Sequence, residues 1–132
     1  MSCQAFHQKC DNQGATITLI KCRFAGVEDS QVLGGFIDQS WNSNKDWNIS
    51  TQAFLFSLSD RRNPVKCPIN KIKSAFCGSP EWGPKFGEDL QIEKTFQTGR
   101  LGNWAYANAN LLSPSGKVES FLVEEVEVYR VQ

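Results

Sequence analysis

Apolar positions along the chain come in short runs with a period of two, separated by polar spans and turn residues. Residues 15–24 (ATITLIKCRF) are rich in β-branched side chains and predict a strand. Thr16, Thr18, Ile20 and Cys22 fall on one face, and Ile17, Leu19 and Lys21 on the other. Both faces carry apolar groups, which predicts a central strand covered on both sides. Residues 31–38 and 53–59 predict two more strands, joined by a long polar connection that holds Trp41 and Trp47. Each indole has much apolar area to bury, so both are expected to pin the connection back over the sheet. Gly34-Gly35 would weaken its strand unless another segment or an aromatic ring packs against the bare backbone.

The remaining pattern is finer grained. Residues 1–10 predict a short helical turn with Phe6 and Cys10 four apart, and Asp11-Asn12-Gln13-Gly14 is turn chemistry. Residues 60–64 (DRRNP) form a charged turn of hairpin type. The strand expected at 65–69 contains Pro68, which cannot donate to a ladder and so favours the rim of a sheet. Short strands follow at 74–78 and 90–93. Residues 80–89 (PEWGPKFGED) read as a shaped loop, and residues 94–110 as polar and irregular, anchored by Trp104 and Tyr106. A turn at 113–116 leads into the last strand, residues 119–131. There the alternation slips between Val123 and Val126, which predicts a bulge at Glu124-Glu125. Many short strands and no long amphipathic helix argue for a mainly β fold, a two-layer antiparallel β-sandwich with long pinned loops and few short helices.

Length and charge narrow the function classes. At 132 residues the chain is expected to be a single domain, with 1–14 a helical lead-in and 15–131 the sandwich. Fourteen basic residues balance fourteen acidic ones, so no overall field draws nucleic acid or an anionic membrane. Arg61, Arg62, Lys66, Lys71 and Lys73 form a basic region too dilute for a nucleic-acid site. No apolar run approaches the ~20 residues that cross a bilayer, and residues 1–10 lack a signal-peptide centre. A cytoplasmic protein is the expectation, and Asn48-Ile49-Ser50 then carries no weight as a glycosylation acceptor. The five cysteines (3, 10, 22, 67 and 77) lack paired spacing and read as free thiols, several of them in the core. Cys3, His7 and Cys10 share a helical face and are three candidate zinc ligands, but no second cluster follows at a familiar spacing, so no metal is expected.

Candidate chemistry is sparse. His7 is the one imidazole, and with Cys10 three residues away it offers a thiol-based antioxidant enzyme. Glu88 and Asp89 beside Trp82 and Phe86 offer a carbohydrate-binding or sugar-processing arrangement. The plainer reading has the aromatics filling gaps beneath a loop and Asp89 bonding backbone amides of its own turn. Neither yields a credible catalytic constellation, and no cofactor is expected. Glu124, Glu125 and Glu127 on the last strand are candidate partner-binding residues that would meet a basic patch. Their bland alternative is a solvated strand protected by charge from edge pairing.

Several motifs occur in an order that resembles the TLDc domain family. They are Gly34-Gly35-Phe36, Ser40-Trp41, Trp47, residues 53–58 (AFLFSL), Gly83-Pro84-Lys85-Phe86-Gly87 leading into Asp89-Leu90, and residues 126–131 (VEVYRV). Upstream, residues 6–14 (FHQKCDNQG) before an apolar strand also resemble the segment that precedes the GGF motif there. The likeness spans about residues 6–131, in an N-terminally short version whose glycine-rich run before Asp89 is also shortened. The resemblance implies a two-sheet β-sandwich in which Gly34, Gly35, Phe36, Trp41, Trp47, Gly83, Phe86, Gly87 and Asp89 are structural. It further implies a non-catalytic eukaryotic protein-interaction domain linked to oxidation resistance. The implied partner is the soluble sector of the vacuolar proton-pumping ATPase, reached from the cytoplasm at vacuolar or lysosomal membranes.

Overall fold

A computed structural model of the chain describes residues 1–60 and 62–132. Its elements in order are a helix, α1 (Cys3–Cys10), then strands β1 (Thr16–Arg23), β2 (Gln31–Ile37), β3 (Trp47–Asn48), β4 (Phe54–Ser57) and β5 (Val65–Pro68). These are followed by β6 (Phe76–Cys77), β7 (Lys85–Phe86), β8 (Leu90–Ile92), β9 (Thr98–Leu101) and β10 (Ser120–Arg130). Single 3-10 turns occupy Ile72–Ser74 and Ala109–Leu112. The chain is mainly β, with few short helices.

An eight-stranded antiparallel ladder runs β5-β4-β2-β1-β10-β9-β8-β7, and β3 pairs with β6 in a small second sheet. The long ladder is not flat. Flat, the five steps from β2 to β7 would separate them by about 24 Å at the usual strand spacing. Instead the Phe86 ring of β7 lies against Gly35 of β2, so closely that a methyl group on Gly35 would stand 2.5 Å from it. The ladder therefore doubles back into two facing layers. The fold line is β10, whose first residues, Ser120–Leu122, pair with β9 while Leu122–Arg130 pair with β1. Within the β1 pairing, just after the β9-paired residues, the register shifts: Lys21 faces Glu125 and Cys22 faces Val123, leaving Glu124 as the extra residue. A bulge at the point where one strand changes layers is the usual way to make such a corner. It sits where the alternation slips in the sequence.

The core lies between the layers. Trp41 is fully buried, with the rings of Phe6, Phe76 and Phe86 around it at centroid distances of 5.3–5.4 Å. It pins its connection as expected. Trp47 does not: it is half-buried in the small sheet, edge-on to Trp104 at 5.5 Å. Glycines recur where rings press on the backbone, with Phe56 against Gly34, Phe121 against Gly99 and Phe96 against Gly83. The ring expected over Gly34-Gly35 is thus two rings, one on each side of the sheet.

β1 is central, between β2 and β10, but only one of its faces is covered. Thr16, Thr18, Ile20 and Cys22 are buried, whereas Ile17 and Leu19 are half-exposed and Lys21 and Arg23 exposed. Among the described residues no layer lies over that outer face, where Phe36 stacks on Phe54 and Lys66 Nζ stands 4.4 Å from the Phe54 ring centre. β5 is an edge strand, as Pro68 requires, and it pairs antiparallel with β4. The turn between them includes Arg61, which lies outside the described residues. Residues 94–110 are more regular than their sequence suggests, because they contain β9. Residues 80–89 contain β7. Tyr106 is the true anchor of its segment, donating its hydroxyl to the Ala75 carbonyl at 2.6 Å, while Trp104 is 36% exposed.

The Gly35–Phe86 contact has a direct test. Gly35→Ala should cost about 2 kcal/mol in urea unfolding, because the new methyl overpacks the ring. Adding Phe86→Leu should recover part of that loss rather than adding to it, since the two residues share one contact.

Candidate partner-binding surface

Most of the polar groups singled out in the sequence serve the interior. Asp89 is fully buried, and its carboxylate accepts N–H bonds from Trp104 (2.8 Å), Ala105 (2.9 Å) and Tyr106 (3.0 Å). These amides belong to a segment fifteen or more residues ahead, not to Asp89's own turn. A buried carboxylate holding three amides closes a loop, and no oxygen is left pointing at solvent. Gly87 (φ 59°) leads into it, with no room for a side chain beside the Asp89 carboxylate. Phe86 is equally buried. Glu88 is exposed, and the Lys85 ammonium covers the half-buried Trp82 ring at 4.2 Å. The sugar-binding pair and its aromatic platform are therefore not assembled: half of the set is core.

His7 is committed in the same way. Its Nδ1 faces the Asp11 carboxylate at 2.9 Å, and its Nε2 donates to the carbonyls of Ser79 (3.1 Å) and Trp82 (3.0 Å). The ring thus ties α1 to the loop before β7. Cys3 donates to the Lys94 carbonyl, away from His7. Among the described residues no three His, Cys, Asp or Glu side chains gather around a possible metal position. All five thiols are free and buried. Burial pushes Cys22 up to about 12 and Cys67 to about 11, and raises Cys3 and Cys10, so the nucleophilic thiolate is disfavoured at each.

The acidic residues of β10 differ: Glu124, Glu125 and Glu127 are all exposed. Glu124, pushed out by the bulge, accepts a hydrogen bond from the Ser30 hydroxyl and lies 3.5 Å from Arg23 Nε. The Ser30 bond, more than the charges of Arg23 and Lys21, holds its carboxyl below the usual range. Glu125 stands opposite Lys21, and Glu127 opposite Leu19. The Tyr129 hydroxyl donates to Glu127, and that bond to a carboxylate raises the phenol above its ordinary value.

Beside this strand runs a groove. Its larger part, about 440 Å³, lies between Met1, Ala5 and Lys9 on the α1 side and residues 123–127 of β10. A second part of about 320 Å³ continues past Met1 and Lys9 to Val128 and Arg130. α1 is seated there by its Ser2 cap, whose hydroxyl accepts the Ala5 N–H, and by Phe6, which is fully buried. The groove joins the two ends of the chain, so no local sequence signal announces it. Its one legible trace is the alternation of valine and glutamate at 123–128.

Among the described residues no helix is long and apolar enough to cross a membrane. A family model described as the TLDc domain matches residues 1–132. A search of curated proteins finds no match to the chain.

Two outcomes are expected of these assignments. Asp89→Asn should lose about 3 kcal/mol in urea unfolding, since an amide cannot accept all three buried N–H groups, whereas Glu88→Gln should be near neutral. In a thiol-reagent titration the folded protein should react slowly at every cysteine, with all five reacting promptly in denaturant.

Proposed function

The chain belongs to the TLDc domain family, and from that premise we propose that it is a non-catalytic protein-interaction domain. The observation that carries this reading is the contrast between interior and surface. The residues with chemical potential (Asp89, His7 and the five thiols) are spent on backbone bonds or buried, while the acidic strand is left exposed. A site that performs chemistry needs a reactive group facing substrate. A site that binds a protein needs an accessible, shaped and charged surface, which Glu124, Glu125 and Glu127 supply along β10.

The partner favoured by the family is the soluble sector of the vacuolar proton-pumping ATPase, met on its cytoplasmic side. An effect on oxidation resistance would then run through pump assembly or another partner, with no thiol of this chain consumed. Nothing in the geometry favours the thiol-based enzyme or the carbohydrate-binding reading over this one.

The test is an affinity pull-down from eukaryotic lysate with the folded domain. Soluble pump-sector subunits should be recovered, and charge reversal to lysine at Glu124, Glu125 and Glu127 should lower their recovery. A folded domain that recovers none of them would overturn the pump as partner. Peroxide turnover that disappears on replacing all five cysteines with serine would overturn the non-catalytic reading.

A further inference from the structure

β10 has a paired edge and an open one. Val131 N–H donates to the Ala15 carbonyl at 2.9 Å, which fixes the parity of the strand. Hydrogen-bonding groups alternate sides along an antiparallel strand, so Glu125, Glu127 and Tyr129 turn their N–H and C=O toward β1. Those of Val126, Val128 and Arg130 then turn the other way. On the far side of the bulge, Val123 N–H reaches the Gln97 carbonyl at 2.9 Å, and β9 pairs only with Ser120–Leu122. Beyond Val123, among the described residues, no strand takes up the outward groups of β10.

The open edge borders the groove described above, so a bare row of backbone donors and acceptors faces a helix across a trough. We propose that this trough accepts an extended segment of a partner protein, which adds a strand to β10 antiparallel or parallel to it, with α1 as the opposite wall. This deepens the interaction reading, on which it rests. Backbone bonds would supply the affinity, and side-chain alternation would supply the selectivity.

The chemistry of the segment follows from its neighbours. Side chains beside Val126 and Val128 would turn inward, toward Ala5 and Met1, and need to be apolar. Those beside Glu125 and Glu127 would turn to the outer face, where opposite charge is favoured and like charge penalised. In the larger part of the groove the Lys9 side chain is one cation against Glu124, Glu125 and Glu127, so acidic side chains outnumber basic ones there. Charge complementarity thus selects a segment that alternates apolar and basic residues. An acidic segment is refused, and the three glutamates also keep the open edge from pairing with that of a second copy.

A short peptide of alternating lysine and valine, labelled for fluorescence anisotropy, is the probe. It should bind the intact chain, and a glutamate–valine peptide should bind at least roughly tenfold more weakly, as two reversed cross-strand pairs would give. Methylating every second backbone nitrogen of the lysine peptide should abolish binding in one phase and spare it in the other, because only alternate amides face β10. Ala5→Trp, which fills the trough from the helix side, should abolish binding. Glu125→Lys combined with Glu127→Lys should reverse the preference between the two peptides.

Equal tolerance of both methylation phases, or no binding of the lysine peptide by the folded chain, overturns the proposal without recourse to any variant. A chain that captures pump subunits but ignores the peptides overturns the trough alone. One that binds the peptides with the expected phase while capturing no pump subunits supports the trough and overturns only the pump as partner.

Discussion

The two layers meet where an aromatic ring is pressed onto backbone that carries no side chain. Phe86 on Gly35 is the contact that brings the far end of the ladder over its middle, while Phe121 on its cross-strand neighbour Gly99 and Phe96 on Gly83 tighten the second layer itself. A ring against bare backbone comes closer than a ring against any side chain, so the layers approach without a void. Trp41, walled by Phe6, Phe76 and Phe86, fills the centre that this approach creates. The position of β10 follows: its bulge can turn the corner only because there is a second layer to turn into.

Around that apolar frame, buried polar groups act as fasteners. Asp89 gathers three amides of a distant segment, Tyr106 reaches the Ala75 carbonyl, and His7 bridges α1 to the loop carrying Ser79 and Trp82. Each joins pieces far apart in sequence, which is why the long loops hold a shape. The same economy explains why the interior offers so little chemistry. At the rim, the strand that serves both layers has only part of its length paired on its β9 side.

Much of the fold was legible in the sequence. β-branched runs marked β1, β2 and β10, Pro68 marked an edge, and the slip in alternation between Val123 and Val126 marked the bulge. β9 was not legible, because Gly99 contributes no side chain to the pattern and its role depends on Phe121, twenty-two residues on. The uncovered face of β1 was read as covered, since Ile17 and Leu19 state a preference for burial without saying whether a layer exists to satisfy it. Asp89 was read as a local turn residue because its true partners are distant. As for the candidate surface, the glutamates were visible, but the trough beside them needed α1 and β10 to meet. No window of sequence spans that meeting.

The placement of β10 also governs the order in which the molecule can be made. Synthesis runs from the N-terminus, and the strand shared by both layers emerges after all the other elements described above. Until then β1 has only β2 as a ladder neighbour, and the segment containing β7, β8 and β9 is held to the first layer by contacts such as Phe86 on Gly35 but by no strand pairing in the long ladder. The nascent chain would therefore leave the aromatic side of both layers less covered through most of its translation. Closure would come as one late, long-range event rather than by stepwise accretion, the kind of topology that folds slowly and leans on chaperones while it waits.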